Sequence, residues 1–170
     1  GESHARSAGT TLIRSDMSGL VLELSVPGIG IENVDTRAGA FTRVSLDGCG
    51  ASDVTGEALL PVIRELIEVP HGARPGILSV EAGFERVSLT SLGIPHRLLP
   101  VQPPVEKLPG ALEAAPFAIS EEYYSTDAFA PETIASLGEV GIMRGHRFVQ
   151  LSVNPFRYNP VRGELEYAAS

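Results

Sequence analysis

Six prolines fall between Leu92 and Phe117: Pro95, Pro100, Pro103, Pro104, Pro109 and Pro116. Each fixes φ and removes a backbone N–H donor, so neither a helix nor a strand ladder runs through them. Residues 92–117 therefore read as an extended segment with polyproline II character. A stretch this long without regular structure is uncommon in a compact domain, and it marks a binding loop, a linker or a crossover between sheets.

Punctuation continues through the rest of the chain. Gly and Pro make up 31 of the 170 residues, against roughly 12% in average proteins, while charged residues, at 20%, fall below the usual ~25%. That balance favours strands and turns over helices. Residues 17–26 place Leu20, Leu22 and Leu24 on one face and Val21, Glu23 and Ser25 on the other, a period-2 pattern that ends at Pro27-Gly28-Ile29-Gly30. Residues 40–46 alternate likewise and stop at Asp47-Gly48-Cys49-Gly50.

Residues 57–68 carry an apolar stripe that also fits a helix. Pro61 decides for a strand, because inside a helix it costs roughly 3 kcal/mol and on an edge strand it is tolerated. Residues 76–82 and 84–89 read as two strands around Gly83. Residues 131–138 read as one or two helical turns, with Pro131 at the first position and Gly138 as the stop. Residues 147–153 alternate again, and residues 154–161 lead through Arg162-Gly163 into a last strand at 164–167. The fold expected is all-β: a single-domain antiparallel β-sandwich or barrel-like fold with a long proline-rich loop and one short helix. Residues 1–15 read as an N-terminal tail and residues 16–170 as one domain.

With a net charge of −8 and arginines scattered from Arg6 to Arg162, the chain lacks the basic patch that phosphate backbones require, so nucleic acid is not an expected partner. No run approaches the ~18 apolar residues of a membrane span, and no membrane partner is expected. Residues 1–15 lack the apolar core of a signal peptide, so any targeting segment is expected to have been removed.

Cys49 is the single cysteine, which rules out an internal disulfide. The histidines are too far apart for a local metal motif, and no metal or cofactor is expected. Cys49 has no base close in sequence and reads as structural. His71, His96 and His146 fall in loop-like or turn-flanking positions. Glu121-Glu122 with Asp127 could form an acidic pair of the glycosidase kind, but a solvated acidic loop has the same sequence. HExxH, GxSxG, P-loop and dinucleotide-turn motifs are all missing from the sequence. No catalytic residue is assigned, and the chain is not expected to be an enzyme.

The C-terminal stretch MRGHRFVQLSVNPFRYNPVRGELEY, residues 143–167, resembles the end of the prodomain of gingipain-type cysteine peptidases, the C25 family. Those prodomains carry a similar Arg-Gly, a strand and a Tyr-Asn-Pro-Val turn. Tyr123, Phe129, Pro131 and Ile134-Ala135-Ser136-Leu137 fit the same pattern, as do Leu60-Pro61-Val62 and Val69-Pro70 with Gly72. The resemblance covers residues 16–167 and is most specific over residues 144–160.

The resemblance implies a β-rich prodomain, secreted or periplasmic, that assists the folding of its peptidase and occludes the active site until removed. It also implies a basic residue on a loop, offered to the pocket that takes the substrate side chain before the cut. The family pattern laid along the chain from Pro100 puts that residue at Lys107, with Arg97 as the next candidate. The residues around Lys107 suit the role. Pro104, with Pro103, stiffens the approach through Val105 and Glu106, and Pro109 holds the far side beyond Leu108. A cationic side chain complements an acid at the base of a pocket. Twelve of the 13 basic residues are arginine and Lys107 is the sole lysine, as a partner of a lysine-preferring peptidase would require. The alternative is a carbohydrate-binding or adhesion β-sandwich module, for which no tryptophan and only four tyrosines offer a thin aromatic platform.

Overall fold

Strand structure begins before the first alternating run. In the computed structural model, which describes residues 9–26 and 28–169, Gly9–Asp16 (β1) pairs antiparallel with Gly19–Ser25 (β2). Residues 9–15 are thus a strand rather than part of a tail, and residues 1–8 lie outside the described residues. Nearly all side chains of β1 are exposed, so no buried face imposes an apolar alternation on its sequence. A second ribbon follows, Gly30–Thr36 (β3) with Gly39–Ser45 (β4), in which β4 turns Phe41 and Val44 into the core.

The largest sheet has five strands. Gly50–Ala51 (β5) pairs with Pro61–Glu68 (β6), which pairs with His146–Val153 (β10), and β10 also carries Ala135–Leu137 (β8) and Gly141–Met143 (β9). Pro61 opens β6, a position where its missing N–H breaks no central ladder. The third sheet runs Phe156–Asn159 (β11), Glu164–Ala169 (β12), Gly83–Ser88 (β7), all antiparallel. Two short helices, Ala111–Ala114 (α1) and Glu121–Ser125 (α2), and a 3₁₀ turn at Thr90–Leu92 complete the chain. The fold is all-β, built of several antiparallel sheets that do not close into a barrel.

Two elements differ from the sequence reading. Residues 76–82 form no strand: β7 starts at Gly83 and pairs only with β12, leaving the preceding segment without a neighbour and Leu78 93% exposed. Strand propensity without a cross-strand partner does not make a strand. Residues 131–138 form no helix. A helix of two turns is marginal on its own, and here residues 135–137 gain a ladder against Leu151–Val153 of β10 instead.

Val44, Leu46, Leu60, Leu89, Leu98, Tyr124, Phe156, Tyr158 and Leu165 make one core between the sheets. Leu98, inside the proline-rich stretch, is fully buried, and Leu99, Pro100 and Val101 are buried beside it. The extended segment is therefore two things. Its first part is a core strut, and only its second part is a surface loop.

Candidate functional site

The strut is held by main-chain bonds on both flanks. Thr42 of β4 donates to the Arg97 carbonyl (2.9 Å) and accepts from Leu99 N–H (2.8 Å), while Leu59 N–H donates back to Leu99 (2.8 Å). One step on, Gly56 N–H donates to the Val101 carbonyl (2.8 Å), and Val101 N–H donates to Glu57 (2.8 Å). The chain then leaves the surface and returns at Ser120, whose N–H donates to the Gly56 carbonyl at 2.9 Å. Both ends of the excursion are thus fastened to Gly56. Its φ of +84° is one that residues with a Cβ rarely adopt, and a Cβ there would lie 2.9 Å from Ser120 N.

Between these ends, Pro103 and Pro104 lead outward through half-buried Val105 to exposed Glu106, Lys107 and Leu108. Pro109 and Gly110 turn the chain back, with Ala111 N–H closing on the Leu108 carbonyl at 3.1 Å, and α1 follows. Lys107 is exposed where the chain bends, and none of the ion pairs among the described residues includes it. Leu108, the next residue, is 62% exposed, so an apolar side chain stands in water there.

Arg97 is placed differently. Its guanidinium carbon lies 5.1 Å from the Tyr124 ring centroid and 5.8 Å from that of Phe41, so the cation packs on aromatic rings of its own domain. Both basic residues singled out in the proline-rich stretch are exposed, and of the two only Arg97 packs on aromatic rings.

Residues 2–170 match the family Propeptide_C25. This chain belongs to that family. It is 30% identical over 163 residues to Lys-gingipain HG66 of Porphyromonas gingivalis and 29% identical to the Lys-gingipain of strain W83, with 95% of the chain aligned in each case. It spans about 9% of the length of these curated relatives. Among solved structures, one described as giving insight into the zymogenic latency of gingipain K from P. gingivalis superposes with a TM-score of 0.86 at 27% identity, over 97% of this chain and 90% of that one. A complex of the P. gingivalis RgpB pro- and mature domains shares the fold, with a TM-score of 0.77 at 18% identity over 94% of this chain and 79% of that one.

This C25 propeptide is not a catalytic domain, and its other reactive side chains have structural surroundings. Burial pushes the half-buried Cys49 thiol up, and the nearby Glu65 carboxylate adds to the shift, which is the reverse of what a nucleophilic thiolate needs. Glu121 and Glu122 occupy the first turn of α2, where carboxylates face the positive end of the backbone dipoles, and Ser120 caps the helix by accepting from Tyr123 N–H. Asp127 does not converge with them: it accepts from Arg162 Nε (2.7 Å) and Asn159 Nδ2 (2.8 Å), pinning its loop to the β11–β12 turn. His146 pairs with Glu68 across the β6–β10 ladder at 2.7 Å. Tyr124 and Tyr158 are buried in the core, which leaves two of the four tyrosines for any sugar platform.

Sequence reading missed Gly56 as the loop's anchor, although a glycine after Asp53-Val54-Thr55 is a recognisable turn signal. It also missed Gln102 and Arg37, whose contacts with the loop come from distant segments and leave no local pattern.

Proposed function

We propose that this propeptide keeps a gingipain-like cysteine peptidase latent by occupying its active-site cleft with the loop apex, Lys107 entering the pocket that accepts a lysine side chain. The carrying observation is that the chain's sole lysine stands exposed in a loop whose two ends are fastened to one residue, Gly56. The Lys-gingipain relatives and the likeness to the gingipain K zymogen structure support the same reading.

The ammonium of Lys107 would form a charge-assisted hydrogen bond with an acid at the base of the pocket. Val105, Glu106 and Leu108 would lie along the cleft on either side. Pro104 and Pro109 limit the ordering entropy that binding costs, and a loop that cannot shift into attack geometry resists being cut. The chain acts on its own peptidase, assists its folding, and is exported with it. Arg97, engaged with Phe41 and Tyr124, is the weaker candidate for the pocket.

The test is inhibition of a lysine-specific and an arginine-specific gingipain-type peptidase by the purified chain and by Lys107→Ala. Selective inhibition of the first, weakened at least ~100-fold by the substitution, is expected, since an anchor in a desolvated pocket carries much of the binding energy. An unchanged inhibition constant for Lys107→Ala sinks the assignment.

A further inference from the structure

Prolines strip the loop of the donors that a ladder across its base would need: Pro103, Pro104 and Pro116 have no N–H. A side chain takes over. The Gln102 amide donates from Nε2 to the Ala118 carbonyl at 2.7 Å and accepts at Oε1 from Ala118 N–H at 2.9 Å, so it reproduces the two-way bonding of a paired strand residue. The same amide nitrogen lies 3.2 Å from the Pro100 carbonyl, which ties it to the strut below.

The returning arm has a second fastening. Arg37 lies in the two-residue turn between Thr36 of β3 and Gly39 of β4, a turn closed by the Thr36 hydroxyl donating to the Gly39 carbonyl at 2.7 Å. Its guanidinium donates to the Glu113 carbonyl (2.7 Å) and to the Ala115 carbonyl. These carbonyls lie at the end of α1, where a helix leaves its acceptors unpartnered, and a planar two-pronged donor matches two of them at once. Phe117 then stacks on Phe41 of β4, centroids 5.5 Å apart. The arm that follows Lys107 is thus bolted to the β3–β4 ribbon, while the arm before it is stiffened by its prolines and tied to Ala118 through Gln102.

We infer that Arg37 and Gln102 are positioning residues: they hold the loop so that Lys107 is presented in one conformation and the Lys107–Leu108 bond is kept out of attack geometry. This rests on the reading of Lys107 given above. A loosened loop binds more weakly, because more conformational freedom is lost on docking, and it also adapts more readily to a protease cleft. The two effects go in opposite directions for an inhibitor and a substrate. Removing either side chain should turn a slowly cut inhibitor toward a substrate.

The sole lysine makes the test clean, since a lysine-specific endopeptidase unrelated to the gingipains can cut only after residue 107, giving fragments 1–107 and 108–170. Cutting rate, inhibition of a lysine-specific gingipain-type peptidase and melting temperature would be measured for the wild-type chain, Arg37→Ala, Arg37→Lys and Gln102→Ala. The alanine variants should be cut roughly 10-fold faster and inhibit roughly 10-fold more weakly, the scale of one or two exposed hydrogen bonds, with near-wild-type melting. Arg37→Lys, which keeps the charge and loses the fork, should restore only part of both. Unaltered cutting in both alanine variants overturns the clamp. Faster cutting with unchanged inhibition overturns its positioning role, and full rescue by Arg37→Lys overturns the two-carbonyl bridge. Lys107→Ala, run alongside, separates the failures: wild-type inhibition by that variant overturns the Lys107 assignment and leaves the cutting rates to judge the clamp.

Discussion

The Tyr124 hydroxyl donates to the Leu98 carbonyl at 2.6 Å in the buried centre of the domain. Thr42 bonds the neighbouring groups of Arg97 and Leu99, so the N–H and carbonyl of Leu98 itself face the other way, where no strand exists to receive them. Tyr158 Oη accepts the N–H at 3.4 Å, and Tyr124 satisfies the carbonyl. Two phenols thereby replace a missing strand, and burial pushes the ionisation of both well above that of a free tyrosine.

Tyr124→Phe keeps the ring and removes the donor, leaving the Leu98 carbonyl buried without a partner. An unmade buried bond costs about 1–3 kcal/mol. The stability measured in urea should fall by that amount through a lower midpoint at an unchanged m-value, and an unshifted midpoint would show the carbonyl finding another donor.

At the loop's base, Gly56→Ala meets two obstacles together: a φ of +84° and a Cβ placed 2.9 Å from Ser120 N. Left-handed backbone in a residue with a Cβ costs on the order of 1–3 kcal/mol, and the close contact adds to it. Loss of stability accompanied by weaker peptidase inhibition is expected, because the strained residue holds both ends of the loop. Gly72→Ala, at φ +77° with nothing within 4 Å of its added Cβ, should lose stability alone.

Acid should unfold the domain through its bridged carboxylates. Glu166 is buried, which pushes its carboxyl up, but hydrogen bonds from Arg86 (2.7 Å) and Arg157 (2.6 Å) outweigh burial and hold it below the ordinary 4.5. Asp127 lies below 3.8 because of its hydrogen bonds from Arg162 and Asn159. A carboxyl depressed in the folded state contributes stability that is present above its unfolded value and is lost as pH falls through the folded value. Urea midpoints should therefore be level near neutrality and fall below about pH 4.5. Glu166→Gln should flatten part of that slope and cost roughly 1.5–3 kcal/mol at neutral pH, having removed the acceptor for two guanidinium groups. An acid slope identical to wild type would assign the transition to other groups.

How much of this was legible in the chain follows from where each signal resides. Residues 20–24 and 148–153 alternate because each strand has one face turned inward, and that periodicity is written locally. β3 is nearly all exposed, so its partner β4 was seen and β3 was not. Ile77, Leu78 and Val80 carry as strong a strand pattern as any, yet pairing is decided by neighbours, and no ladder among the described residues includes them. Pro131 and Gly138 punctuate a strand as readily as a helix, and only β10 distinguishes the two. Lys107 is singled out only through the family resemblance, with its flanking prolines and its place as the sole lysine in support. The fastenings of its loop were not visible in the sequence, since Gln102 meets Ala118, and Arg37 meets Glu113, only after the chain has folded back.

The β9–β10 turn offers a gain in stability. Met143 pairs with His146, so Arg144 and Gly145 are the two turn residues, with φ of +52° and +84°. Positive φ at both positions is the turn whose twist matches flanking strands, and Asn-Gly is its preferred pair because asparagine tolerates the left-handed region. Arg144 is exposed, and no hydrogen bond or ion pair of its side chain appears among the described residues, so little opposes a change. Arg144→Asn should therefore recover part of the roughly 1–2 kcal/mol that left-handed backbone costs an ordinary residue, raising the melting temperature by a few degrees without altering inhibition. Arg144→Val, β-branched and strained at the same φ, should destabilise it. A ranking with valine above asparagine would mean that the turn in solution has a different backbone from the one described.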